Sequence, residues 1–244
     1  MRGAIALFTY TAFEIRRTLR NVPFALYTII FPAGFYLLFT VVFGGASQHS
    51  YAAHYMVSMA LYGTIGAGLT GIGTQIAFER RGGWTRQLSL TPLRPLSYLA
   101  MKVGSALILT LPVIVLIMGA GALINDVRIS PASWLLLVPL LWLASLPFTA
   151  LGIAIAYTFR DEAANAVTVI FLFLFSIAGG LWIPPQVFPP WMRHLAEALP
   201  SYRGADLGWH VVDGQQPFTP GTLIFAAWLV GLFAVAGWRF RRAT

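Results

Sequence analysis

Long apolar stretches separated by short polar ones set the pattern of this chain. Residues 22–43, 53–77, 101–124, 134–157, 164–183 and 221–238 form six continuous apolar runs. Each is close to the ~20 apolar residues that cross a hydrocarbon core as a helix. Lipid offers the backbone no hydrogen-bond partners, so each run must satisfy its own polar groups and is expected to be helical. The runs are continuous rather than alternating, which argues against a β-barrel. Ahead of them, Ile5, Phe8, Ala12, Ile15 and Leu19 step by three and four, while Glu14, Arg16, Arg17 and Arg20 fall mostly off that stripe. Residues 1–21 are therefore expected to hold an amphipathic helix lying in the membrane interface. Asn21 and Pro23 suit the start of the first span.

Residues 184–220 are the longest connection and are not simply polar. Pro189 and Pro190 suit a helix start and Pro200 a stop, and Trp191, Leu195 and Leu199 then share one face. The pattern predicts a short helix dipping into the outer interface, followed by a second near 204–212. The expected architecture is an all-α integral membrane protein in one domain over 1–244. It would comprise six transmembrane helices, an N-terminal interfacial helix, re-entrant outer helices between spans five and six, and a basic tail within 221–244.

Charge changes the picture by fixing an orientation. With the N-terminus inside, Arg2, Arg16, Arg17, Arg20, Arg80, Arg81, Arg86, Arg94, Lys102, Arg160, Arg239, Arg241 and Arg242 fall on the inner side. Only Arg128, Arg193 and Arg203 fall outside. That asymmetry follows the positive-inside rule and puts both termini in the cytoplasm. Composition agrees with a membrane protein: the chain has 244 residues, is 58% hydrophobic and only 10% charged, and has mean hydropathy +0.74. A soluble domain would carry about 25% charged residues. The net charge of +8 sits at the ends of apolar runs. It therefore reads as topology signal toward lipid headgroups, with no nucleic acid partner. The first apolar run lacks a small-residue cleavage site and reads as a span, not a removable leader. The absence of cysteine excludes disulfides and thiolate metal sites.

Candidate chemistry is sparse. His49, His54, His194 and His210 all fall on the outer side, and His49 and His54 are spaced to point apart on a helix, so no metal site is expected. HExxH, GxSxG and the phosphate-loop pattern GxxxxGK[ST] are absent. No span carries an ionisable residue at its centre, which argues against a proton-driven carrier. The second run is small-sided, with Gly63, Ala67 and Gly71 at four-residue spacing. This fits either packing within one subunit or a sliding contact. Tyr55, Met59 and Tyr62 recur on an overlapping face and could line a substrate path or simply pack. Phe171 and Phe175 share a face on the fifth run, with Phe173 turned away. Gly179 and Gly180 follow and weaken the helix end ahead of Pro184 and Pro185. Together with Trp191, they form a candidate outer gate.

The polar stretch Glu79–Lys102, ERRGGWTRQLSLTPLRPLSYLAMK, is the longest polar gap among the first five runs. Taken alone, it fits equally a solvated loop and a surface gripped by a soluble partner. Together with EIRRTLR before the first span and GGLWIPPQVFPPWMRHLAEALPSYRGADLGW after the fifth, it resembles the membrane subunit of ABC-2 type transporters. The likeness lies on the drug-exporter and nodulation-factor-exporter side of that family and covers essentially the whole chain. Glu162-Ala163-Ala164 is similar to the loop motif of ABC importers, but Thr168 stands where that motif needs Gly.

The resemblance implies a permease, not an enzyme. Two ATP-binding subunits would carry ATP and Mg, and a second permease copy or homologue would complete the assembly in a bacterial plasma membrane. This chain itself would bind no cofactor. The resemblance also implies that Glu79, Arg80, Arg81, Gly82, Trp84 and Arg86 contact the ATPase. Leu90–Lys102 would form the turn and headgroup anchor of the third span. The expected cargo is an amphiphilic drug, antibiotic or lipid-like compound moved outward by alternating access. A lipid-linked glycan exporter and a non-transporting sensor or immunity subunit remain the alternatives.

Overall fold

The computed structural model describes residues 26–43, 48–82, 95–159 and 161–243. The expected interfacial helix at 1–21, Trp84 and Arg86 lie outside these residues, as does the side chain of Arg81. Every regular element among the described residues is helical. In chain order these are α1 (Phe31–Phe43), preceded by a π-helical turn (Leu26–Ile30), and α2 (Gln48–Gly66), continued by a π-helical segment (Ala67–Ile72) into α3 (Gly73–Arg81). Then come α4 (Pro95–Leu123), α5 (Pro131–Ala144), α6 (Leu146–Thr158) and α7 (Asp161–Ala178). The chain ends with α8 (Pro190–Ala198), α9 (Pro200–Val212) and α10 (Thr222–Ala243).

Four stretches among the described residues are long and apolar enough to cross a membrane: Ser50–Ala77, Tyr98–Leu123, Pro131–Thr158 and Thr222–Arg242. Two expected spans are represented by the shorter apolar helices Thr28–Val42 and Glu162–Ala178. The second of these is cut short by its own sequence. Gly180 adopts φ +76°. Around it, the Leu181 amide donates to the Ser176 carbonyl (2.9 Å) and the Gly180 amide to the Ile177 carbonyl (3.1 Å). This is a left-handed glycine stop, which a side chain at that position would strain.

The expected fourth span at 134–157 is not one uninterrupted helix. Pro147 has no amide hydrogen to return to the preceding turn, so α5 ends and α6 begins at Ser145. Ser145 compensates locally, its hydroxyl donating to the Trp142 carbonyl at 2.6 Å.

The α2–α3 rod is the axis of the fold. Almost all of its apolar window is buried, whereas α10 turns most of its surface outward. Leu223, Val230 and Val235 on α10 are exposed, as a lipid-facing helix requires. α4 packs along α2, α10 along α6, and α9 against α5 and α2. Small residues let these axes approach. A Cβ added at Gly68 would lie 2.9 Å from Thr149 Oγ1 and 3.0 Å from its amide nitrogen. One added at Gly152 would lie 2.8 Å from the Gly68 carbonyl oxygen. The π-helical segment thus meets α6 backbone to backbone through Gly68 and Gly152, beside rather than on the Gly63–Ala67–Gly71 face. This contact lies within one subunit.

Candidate functional site

Three groups of side chains carry the candidate sites, at the two ends of the α2–α3 rod and along its middle. At the C-terminal end of the rod, Glu79 sits in the last turn of α3. Tyr98 and Lys102 are one turn apart on α4 and so share a face. The Tyr98 hydroxyl donates to Glu79 Oε2 at 2.6 Å, and the Lys102 ammonium donates to Oε1 at 2.7 Å. Lys102 is fully buried and Glu79 is 8% exposed. Removing both charges from water carries a large desolvation penalty, offset here because each carboxylate oxygen has a donor. The Lys102 ammonium also lies 5.6 Å from the centre of the Tyr98 ring.

Beside this pair, Arg80 donates to the Ala156 carbonyl and lies 5.1 Å above the Tyr157 ring. Ala156 is in the last turn of α6, where carbonyls lack helical partners and a cation is favoured. Glu79 and Arg80 therefore tie the end of α3 to α4 and to α6.

The charged groups of Glu79 and Arg80 bond to α4 and α6 within the chain. Lys102 is no headgroup anchor, since it is buried against Glu79. Of the expected contact set, Gly82 is exposed, in the turn that opens the loop.

Along the middle, Tyr55, Met59 and Tyr62 are all buried in the main core. Phe171 and Phe175 stack at 5.8 Å, and Phe175 meets Phe148 edge-on at 5.6 Å. Trp182, which sequence reasoning missed, joins Tyr62 on α2 to rings on α1 and α7. Its ring lies 5.2 Å from Phe35, 5.7 Å from Tyr62, 5.7 Å from Phe173 and 6.1 Å from Phe31. Its indole N–H is buried with no hydrogen-bond partner among the described residues. The available signal was an aromatic placed two residues after a double-glycine helix stop.

At the opposite, N-terminal end of the rod, a cleft of about 280 Å³ brings Tyr55 and Gly180 together with Tyr51, His54, Pro185 and Trp209. His54 fixes one wall: its Nε2 lies 3.1 Å from Asp213 Oδ1, and its Nδ1 lies 2.9 Å from the Ser50 carbonyl. The Trp209 indole N–H donates to Ser58 Oγ at 3.1 Å and to the His54 carbonyl at 3.2 Å. These bonds pin α9 to the N-terminal end of α2. Gly179 touches α9 lower down, where an added Cβ would lie 2.8 Å from Ser201 Cβ. Trp191 is 68% exposed on α8 and is not among the residues lining the cleft, so the three candidate gate residues do not form one cluster.

An all-helical bundle with membrane-length apolar helices, a buried central rod and a charged clamp at one end defines a multi-pass membrane protein. Comparison with known proteins gives the family. The model for ABC-2 type transporters matches residues 5–207, and the chain belongs to that family. It is 33% identical over 232 residues to "Putative transport permease YvfS" of Bacillus subtilis (strain 168), covering 94% of each chain. The chain is therefore a transport permease subunit, of a family whose members work with an ABC ATP-binding partner.

Proposed function

We propose that this chain is the six-span permease of an ATP-driven exporter that moves an amphiphilic small molecule outward. In this reading, α1 and α7 complete the set of spans, α8 and α9 dip into the outer interface, and both termini lie in the cytoplasm. Two copies, or one copy and a homologue, pair with two ATP-binding subunits that hold ATP and Mg.

The observation that carries the reading is the Glu79–Lys102 clamp. Residues 83–94 connect α3 to α4 in the sequence. Glu79 on one side of the loop and Tyr98 and Lys102 on the other are joined by two short, buried, charge-assisted bonds. A partner that displaces the loop therefore moves both helices together. Arg80 extends the same linkage to α6. Gly82, Trp84 and Arg86 would make the outward contact with the ATPase, while Glu79 and Arg80 transmit it. ATP binding would then bias a two-state rearrangement of the bundle. Tyr55, Met59, Tyr62, Phe171 and Phe175 would border the path in the state that opens it. Gly179 and Gly180 would form the hinge of the outer gate.

The test is flux. The permease is purified with the ATP-binding partner it retains from its native membrane and reconstituted into inside-out vesicles with a fluorescent amphiphilic dye. Accumulation only with hydrolysable ATP is the expected result. Saturable binding without flux under any nucleotide would favour a sensing subunit instead.

A further inference from the structure

The cleft at the N-terminal end of the rod has the makings of a ligand site in its own right. Tyr51 and Tyr55 stand one turn apart on α2, and their rings are nearly parallel, 10° between planes with centres 5.6 Å apart. The row continues to Phe39 on α1, 5.4 Å from Tyr55. Trp209 and Pro185 line the cleft as well. Parallel rings and a proline offer flat apolar surface to another ring.

The polar groups around the cleft are nearly all engaged already. His54 is held by Asp213 and Ser50, and Trp209 by Ser58 and the His54 carbonyl. Among the buried polar groups that line it, the Tyr55 hydroxyl is the exception. Tyr55 is 3% exposed, and its hydroxyl is buried without a hydrogen-bond partner among the described residues. An unmade hydrogen bond of this kind is costly, which makes a ligand acceptor its natural complement.

Charge narrows the class. The imidazole–carboxylate pair beside the cleft satisfies itself, so no lone charge awaits a counter-ion. The Asp213 carboxylate also disfavours anions. Size narrows it further, since about 280 Å³ sits at the lower edge of small-molecule pockets and admits a compact ring system. The cleft lies about 35 Å along the helix axis from Glu79, at the opposite end of the rod.

We propose that this cleft binds an uncharged, flat-ring compound carrying a hydrogen-bond acceptor. Its ring lies against Tyr51 and Tyr55, and the Tyr55 hydroxyl donates to the acceptor. The assignment concerns binding alone and stands whether such a compound is carried or acts as a modulator.

The probe is coumarin, which is neutral and flat and has a lactone carbonyl. Radiolabelled coumarin is equilibrated with the permease in nanodiscs without nucleotide, and empty nanodiscs give the lipid background. One saturable site per chain is expected. Tyr55→Phe keeps the ring and should weaken binding about three- to tenfold, the loss of one hydrogen bond. Tyr51→Ala should weaken it further, and naphthalene-2-sulfonate should not compete. Partition equal to that of empty nanodiscs would overturn the proposal, as would unchanged binding in Tyr55→Phe. Competition by the sulfonate, or tighter binding of N-methylquinolinium than of coumarin, would overturn the assignment of an uncharged ligand. Because no nucleotide is present, failure here leaves the ATP-coupling test untouched.

Discussion

Glu79 and Lys102, twenty-three residues apart in sequence, meet at 2.7 Å where α3 and α4 leave the bundle. Lys102 has no exposed surface and Glu79 almost none. A buried pair of this kind adds little net stability over an apolar pair, but losing one partner strands the other charge. Lys102→Met should therefore destabilise the protein by about 3–5 kcal/mol, with Glu79→Gln less severe because an amide can still accept. The double variant Glu79→Leu/Lys102→Met should recover much of the loss. Thermal unfolding in nanodiscs reads the three variants, and additive single and double effects would contradict the pairing.

Tyr98 donates to the other oxygen of the same carboxylate. Removing only its hydroxyl takes one hydrogen bond from a buried charge, worth about 1.5–3 kcal/mol. Tyr98→Phe should lower the unfolding midpoint less than Lys102→Met. In the Glu79→Leu background its effect should shrink toward zero.

Backbone contact between the π-helical segment and α6 leaves no room for a methyl group. Gly68→Ala or Gly152→Ala would force one backbone away from another and should cost about 1–3 kcal/mol. Gly104 and Gly231 are helical glycines with nothing within 4 Å of an added Cβ. Gly104→Ala and Gly231→Ala should raise stability by up to about 1 kcal/mol through helix propensity. Equal effects at the two classes of site would contradict the close approach.

Gly180 is needed for its conformation as well as its size. At φ +76°, any L side chain is strained by about 1–2 kcal/mol, and Pro185 crowds the same position. Gly180→Ala should therefore destabilise the protein and loosen the junction that carries Trp182. The Trp182 emission band should shift as its four neighbouring rings separate. Measuring this needs a variant in which the other tryptophans have been replaced.

Much of this architecture was legible in the sequence. Continuous apolar runs gave the helices because lipid permits little else, and the glycine spacing on α2 foretold its close contacts. Gly179–Gly180 marked a helix end where the structure has one. The clamp was not legible. Glu79 and Lys102 are each an ordinary charge at the end of an apolar run. Only the folded positions of α3 and α4 turn them toward each other instead of toward water. Trp182 was overlooked for a related reason: its four neighbours come from three separate helices. The break at Ser145 was present in the sequence as Pro147, but the hydrophobicity of the surrounding run masked it.

The central claim is that the loop rooted in the Glu79–Lys102 clamp receives the force of ATP hydrolysis. This chain has no cysteine, so Gly82→Cys places its one thiol at the exposed Gly82, and the unsubstituted complex treated with the same maleimide reports any reaction on the partner. The decisive measurement is ATP-driven dye accumulation by the reconstituted complex carrying Gly82→Cys, before and after reaction with a bulky maleimide. Accumulation dependent on hydrolysable ATP is expected before modification and should be lost afterward, with the clamp and bundle still folded. Undiminished ATP-driven accumulation after complete modification would contradict the claim.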